Sequence, residues 1–488
     1  MLKLLSPGDA GRLRDYLMTL NFTSAHIRDD LGLADLPSCR LRNLPRLMNK
    51  TEEPTALHTL LRWFLVGTAV ETRKARELIP DWAIALFCGC GLLVEGRGEL
   101  IPTALLLPFD QFFVASDHPR RFESGKFADL VLWPNPTSRL LSRFTIRRPS
   151  RATLDLGSGN GIESLHAAEH SEKVVAADLN PRATEYAAFN ARLNGIENIE
   201  CVTGDLFEPV QGRSFDLIVS NPPFFISPSN KYLFCDNPYE LDELCRKIAR
   251  AAPGHLNEGG YFQMLCEWAE IKGQPWQERV AEWFEGSGCD VWILKGYTQG
   301  PAEYAEERIR ETTPDSPEGD AATYARFMEY YHQRKVEAIH NGLIAMRRRP
   351  GHNWIRIEEI SQAPKDPFGD SVLQTFSSRD FLDSHPTDEM MLTAKPRLSA
   401  SARLEQRFEL SDGGWQPISL ELRLMKGFPS HVGVQPLVAE FLSGCDGERT
   451  LGELIQRLSG KVNVSAAQVQ QECLDVVRKL IERGFVLP

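Results

Sequence analysis

No Cys-x-x-Cys pair occurs in this sequence. Its 10 cysteines are scattered, and only Cys88 and Cys90 fall close together. A structural zinc site needs four converging ligands, and this spacing does not supply them. Nor do the cysteines resemble the framework of a small secreted domain, so they read as reduced thiols in a reducing compartment. Long hydrophobic runs are also missing. No stretch of about 18 apolar residues is present, and no membrane span is expected. The opening Met1–Arg14 soon becomes charged helical sequence and lacks a signal peptide's apolar core and cleavage site. A cytoplasmic protein is expected. Positive charge is in short supply: 55 Lys and Arg stand against 66 Asp and Glu, a net charge of −11. A strong nucleic-acid binder usually leaves a basic footprint. The deficit counts against one without excluding a local basic face. No tandem repeat is evident.

What is present is ordinary globular composition, 42% hydrophobic and 25% charged over 488 residues, enough for two to four domains at roughly 100–200 residues each. Three segments are expected. Residues 1–119 read as short helices followed by a hairpin, with Leu92–Val94 and Leu100–Ile101 flanking Gly96-Arg97-Gly98. That is either a winged-helix-like module or a plain helical accessory domain. Residues 120–360 alternate strand and helix. Strand candidates are Thr153–Leu156, Val174–Asp178, Ile199–Thr203, Phe215–Val219 and Tyr261–Leu265, short and apolar as buried parallel strands are. Asn180-Pro181 opens a helix and Gly195 closes it. Repeated βα units predict a doubly wound α/β sheet. A helical insertion is expected around Ala321–Ile339, after a loop at Ser316–Asp320 and before a strand at Leu343–Met346. Residues 361–488 open as a Pro/Ser/Asp-rich linker to about Ser401. Two strands follow, Arg403–Leu410 and Ile418–Met425, then three helices and a short closing strand, again winged-helix-like.

Leu154-Asp155-Leu156-Gly157-Ser158-Gly159-Asn160-Gly161 ends one strand and opens a helix. Its glycines permit a tight turn and close approach of backbone to a ligand. Alone it would be only a turn. The pattern is GxGxG with an acid two residues earlier, not the GxGxxG of dinucleotide enzymes. The next strand ends at Asp178, where an acid can accept hydrogen bonds from ribose hydroxyls. The third leads into Gly204-Asp205-Leu206, where Asp205 can accept from an adenine amino group and Leu206 can pack on its face. Either acid alone could equally be a helix cap.

Strand Phe215–Ser220 delivers Asn221-Pro222-Pro223-Phe224 at its carboxyl end. The nitrogen of a planar amide or aromatic amine is a poor nucleophile because its lone pair is delocalised. The Asn221 side-chain carbonyl and the Pro222 backbone carbonyl can accept both N–H groups of such an NH2. They would orient it and favour the charge that builds as a methyl arrives. The prolines stiffen the loop, and Phe224 can stack on the planar group.

Together these stretches resemble the class I S-adenosylmethionine-dependent methyltransferases. The likeness is to the branch holding the small-subunit ribosomal RNA guanine-N2 methyltransferases and the HemK-like release-factor glutamine methyltransferases. It rests on Asp155 to Gly161, Ala177 to Pro181, Asn190 with Asn194-Gly195, Gly204 to Phe207, and Asn221 to Phe224. The resemblance implies a Rossmann-like sheet that binds S-adenosyl-L-methionine. Gly157, Gly159 and Gly161 would shape the methionine pocket; Asp155 would face the amino group, Asp178 the ribose and Asp205 the adenine. Candidate cofactor-binding residues are Asp155, Gly157, Gly159, Gly161, Asp178, Leu179, Asp205, Leu206 and Asn221. Candidate catalytic residues are Asn221, Pro222, Pro223 and Phe224, with no metal. The expected acceptor is an exocyclic base amine in RNA, with a protein glutamine, as in a release factor, as the alternative. A regulatory protein that only binds the cofactor is a third reading. Two basic clusters could meet phosphates: Arg139, Arg143, Arg147, Arg148 and Arg151, and Arg347-Arg348-Arg349 with His352 and Arg356. Trp133 to Ser138 is expected to border the cofactor and the target.

Overall fold

The computed structural model describes residues 2–34, 36, 44–119, 128–229, 231–312, 317–360, 364, 366–411, 413–428, 430–461 and 465–488. It divides into two compact units: Met1–Ser142 with Arg148–Ser361, and Arg143–Arg147 with Gln362–Pro488.

The first unit is built on an eight-stranded sheet. Its strands are β1 (Ser150–Leu156), β2 (Ser171–Asp178), β3 (Ile199–Thr203), β4 (Phe215–Ser220), β5 (Leu256–Ile271), β6 (Cys289–Gln299), β7 (Val336–Arg348) and β8 (Ile355–Glu359). They lie in the order β8-β6-β7-β5-β4-β1-β2-β3. Strands β1 to β5 pair in parallel, whereas β7 runs antiparallel to both β5 and β6. This mixed sheet departs from a purely parallel one. The central strands carry apolar residues on both faces, and Val174 to Ala177 are all buried, as they must be where helices cover both sides. Two of those helices are α1 (Ile162–Ala168) and α2 (Pro181–Leu193). As expected, the Asn180 side chain caps α2 by accepting from Arg182 N–H. The register sets Leu156 beside Ala177 of β2 and Ser220 of β4. The carboxyl ends of β1, β2 and β4 are therefore level, and the loops after them emerge together at the crevice where such sheets bind ligands.

Before the sheet, the hairpin Leu93–Gly96 and Glu99–Pro102 forms about Arg97 and Gly98, both at positive φ. A second hairpin, Leu105–Phe109 with Phe112–Ser116, is buried throughout. Side chains of α2 occupy backbone groups of its second strand. Asn190 Oδ1 accepts from Ala115 N–H and Asn190 Nδ2 donates to Ala115 C=O; Asn194 does the same at Phe113.

The insertion differs from expectation. It is two helices, α3 (Pro301–Thr312) and α4 (Pro317–Gln333). The helix ends at Gln333, not near Ile339, because β7 already begins at Val336. Pro317–Asp320, expected in a loop, open α4; Ser316 lies outside the described residues.

In the second unit, β9 (Ala402–Ser411), β10 (Gly414–Leu424) and β11 (His431–Gly433) form a sheet in that order. Helices Pro436–Ser443, Leu451–Ser459 and Ala466–Glu482 follow. Thr450 and Glu453 close a capping box on the second. The segment expected as linker instead holds helices Gly369–Ser384 and Asp388–Thr393. Val372 and Phe376, four residues apart and buried, give the first its inner face despite the polar composition around them. Among the described residues no helix is long and apolar enough to cross a membrane, and the nine described cysteines are free thiols.

Candidate active site

The turn after β1 is fixed by its own backbone. Gly157, Gly159 and Gly161 have φ of 77°, 54° and 83°, values that residues with a Cβ avoid. Gly157 and Ser158 N–H both donate to Ala177 C=O on β2, at 2.8 and 3.0 Å. The glycines divide by role. A Cβ on Gly159 would meet nothing, and one on Gly157 would only approach Asn221 C=O, so both face open space. A Cβ on Gly161 would lie 2.8 Å from that of Ala187, so this glycine lets α1 approach α2 and stands outside the cavity wall.

Asp178 holds the turn from the side. Its two oxygens accept from Gly159 N–H and Asn180 N–H, both at 2.8 Å, while burial raises its pKa. Asp155 is buried at the end of β1, and Ser164 Oγ of α1 donates to it at 2.6 Å. Burial pushes its pKa up to about 7, against the hydrogen bond from Ser164. Asp205 is exposed beyond β3, and its carboxylate has no partner among the described residues. Leu206, at positive φ, leans on the core.

At the end of β4, Asn221 Nδ2 donates to Thr137 Oγ1 at 3.2 Å. Thr137 in turn donates its hydroxyl proton to Asn135 Oδ1 at 2.7 Å. That leaves a lone pair on Oγ1 for Asn221 and fixes which way the Asn221 amide faces. Its Oδ1 accepts nothing from the described residues. Asn135 and Thr137 lie in the Trp133–Ser138 stretch, so that stretch does border Asn221.

Asn237 Nδ2 donates to Pro223 C=O at 2.8 Å. Further along, Ile226 is held at both backbone groups. Its N–H donates to the Tyr304 hydroxyl of α3 at 3.1 Å, and its C=O accepts from Tyr331 of α4 at 2.7 Å. Tyr304 in turn donates its hydroxyl hydrogen bond to the buried Glu267 of β5. The tyrosines were not anticipated as part of this site.

One cavity of about 340 Å³ joins the glycine turn, the acids and Asn221, with Ile226, Tyr304 and Tyr331 outside its lining. Asp155, Gly157, Gly159, Asp178, Leu179, Asp205 and Leu206 line it, as do Asn221, Pro222 and Pro223. Phe224 does not; its ring is half-buried against the core, tilted on Phe225 with centroids 6.0 Å apart. Aromatic lining comes instead from Trp133, Phe234 and Tyr239. A second hollow of about 350 Å³, in the other unit, holds none of the expected residues.

The arginine clusters are largely spent within the fold. Arg347 and Arg349 pair with Asp290, Arg356 with Glu358, Arg151 with Asp216 and Arg139 with Asp110. Arg348 donates to Pro253 and Leu256 carbonyls, and Arg148 to Gly259.

A sheet with one reversed strand and a glycine turn flanked by strand-end acids defines the class I methyltransferase fold. Comparison with known families agrees. Residues 134–270 match the methyltransferase small domain, and residues 374–488 match a domain of unknown function, DUF7782. A protein of Methanocaldococcus jannaschii, provisionally named a protein N5-glutamine methyltransferase, is 31% identical over 28% of this chain and 71% of its own length. The release factor glutamine methyltransferase of Xylella fastidiosa Temecula1 is 33% identical over 36% of this chain and 67% of its own. The ribosomal RNA small subunit methyltransferase C of Escherichia coli SMS-3-5 is 33% identical over 45% of this chain and 63% of its own. The chain belongs to the S-adenosylmethionine-dependent N-methyltransferases of class I and is an enzyme.

Proposed function

We propose that this enzyme methylates a planar NH2 nitrogen held by Asn221 and Pro222. The observation that carries the reading is the single cavity running from the glycine turn and its acids to the free Oδ1 of Asn221. The residues present suit S-adenosylmethionine. Ser158 Oγ is buried without a partner, Gly157 and Gly159 leave room where a side chain would stand, and each Asp178 oxygen keeps a lone pair for a ribose hydroxyl. When bound there, the cofactor supplies an electrophilic methyl group. Asn221 Oδ1 and Pro222 C=O accept the two N–H bonds of the acceptor and turn its nitrogen toward the turn after β1. As that nitrogen gains positive charge, both carbonyl dipoles stabilise it. The nitrogen becomes acidic only as it is methylated, so no strong base is needed beforehand.

For the acceptor we favour a glutamine side chain in a protein. Five of the arginines that would have met phosphates are ion-paired within the chain and two more hydrogen-bond to carbonyls, and two of the relatives above act on glutamine by name. An RNA base amine is the second reading, supported by the longer alignment, 232 residues, with the ribosomal RNA enzyme. A protein that merely binds the cofactor would have no use for an amide carbonyl aligned through Thr137. The test is transfer of radiolabelled methyl into extract of cells lacking this protein, with and without prior ribonuclease. Label on one ribonuclease-resistant protein band is expected. Label lost with the RNA would overturn the glutamine reading, and no label on either would overturn methylation of both acceptors.

A further inference from the structure

The second unit carries an edge that the site does not use. Strand β9 is outermost in its sheet, and from Arg403 to Ser411 every residue is exposed. It runs ten residues without a proline or a bulge of its own; the irregularity lies in β10, where Ile418 is skipped between Pro417 and Ser419. Folded proteins rarely leave so long an edge bare, since its unpaired N–H and C=O groups are a template for another strand. One face is apolar, with Leu404, Phe408 and Leu410 at 50, 49 and 66% exposure, and Trp415 of β10 beside Leu410 at 67%.

The other face is charged, and its charges are poorly matched within the sheet. Arg403 stands opposite Arg423, and Glu405 opposite Glu421, arrangements that cost stability. Arg423 is drawn to Glu405 and Glu421, and Arg407 reaches Glu421. Among the described residues, Arg403 and Glu409 have no partner.

Turned antiparallel on itself about Gln406, this strand becomes self-complementary. Arg403 falls opposite Glu409, Glu405 opposite Arg407, Leu404 opposite Phe408, and Ala402 opposite Leu410. Residues facing each other across that axis lie on the same face of the sheet, because their numbers differ by an even count. We propose that two copies of this chain join through β9 in this register, forming one continuous six-stranded sheet with order β11-β10-β9-β9-β10-β11. The two unpartnered charges at the ends of the strand are then satisfied twice, by symmetry. The apolar faces merge, with Phe408 of each copy against Leu404 of the other.

The mass of the full chain in solution, measured by light scattering over a dilution series, tests this. A dimer is expected. Arg403→Glu and Glu409→Arg each place like charges in contact twice per dimer and should weaken association about tenfold or more. Mixing the two single variants restores both contacts, so a mixed dimer should form at near wild-type affinity. A variant that had merely misfolded would not be rescued by mixing. A wild-type chain that stays monomeric to about 100 μM, or single reversals that leave a dimer untouched, would overturn the proposal.

Discussion

Where β1 and β2 meet the cavity, the chain holds its turn with contacts to the next strand. Gly159 N–H reaches Asp178 across 19 residues, and Gly157 and Ser158 lean on Ala177. After β4, the holding is done by side chains from far away: Thr137 holds Asn221 across 84 residues, and Tyr304 and Tyr331 hold Ile226, outside the cavity lining, across 78 and 105. The difference divides the labour of a methyltransferase. One end of the cavity receives a ligand of fixed shape, which a rigid local turn suits. Under the function proposed above, the other end receives the acceptor, and the chain that leads on from it is tied at Ile226 to the inserted helices.

The comparison breaks most sharply at Asn221. Asn221→Ala removes the hydrogen-bond partner proposed for the acceptor and is expected to lower methyl transfer about a thousandfold, or roughly 4 kcal/mol. The dissociation constant for S-adenosylmethionine, read by calorimetry, should stay within about threefold. A parallel loss of cofactor affinity would mean that the two ends are one unit. Asp178→Ala should do the reverse. It frees the Gly159 and Asn180 N–H groups and removes the proposed ribose partner, so cofactor affinity should fall about a hundredfold. Unchanged binding would refute the role given to Asp178.

Thr137 gives a smaller and more selective effect. Thr137→Val keeps the shape but takes away the hydroxyl that accepts from Asn221, so the amide can turn over. The turnover rate should drop about tenfold, the worth of one hydrogen bond, with cofactor affinity unchanged. Thr137→Ser, which keeps the hydroxyl, should recover most of the rate. Equal losses in both variants would assign Thr137 to packing alone.

The same division governs what the sequence discloses. Glycine turn, strand-end acids and Asn221 sit at the junctions of short apolar strands, so local patterning finds them. It also finds α2, through Asn180-Pro181 and Gly195. Patterning does not separate Gly157 and Gly159, which face the cavity, from Gly161, which packs helix on helix; only the position of Ala187 does that. Phe224 reads as a stacking platform, yet its ring is half-buried against the core and outside the cavity lining. Tyr304 and Tyr331 carry no local signal, because aromatics at helical spacing look like ordinary core, and Ile226 is met only in three dimensions. The reversed direction of β7 is hidden for a related reason: the period of a strand is the same in either direction. The helices at 369–393 were masked by Pro, Ser and Asp around a few buried apolar side chains.

Two buried carboxylates bring the comparison down to its smallest effect. Asp155 lines the cavity, whereas Glu267 lies behind it under Tyr304, and burial pushes each up to about 7. Their ordinary values are 3.8 and 4.5. The folded chain therefore keeps protons that the unfolded chain releases. Below about pH 4 both states are protonated and the contribution to stability is complete; it is lost as pH rises toward 7, and changes little above that. Glu267→Gln removes the ionisation while leaving an oxygen for Tyr304. The variant should melt close to the wild type at pH 5 and above it at pH 8, a gain on the order of 1–3 kcal/mol, with cofactor affinity unaltered. Asp155→Asn should shift stability in the same direction but also weaken the cofactor. If Glu267→Gln melts the same distance from the wild type at both pH values, Glu267 is already ionised in the fold. The charge of Arg308, which sits beside Tyr304 and opposes the upward shift, would then outweigh burial.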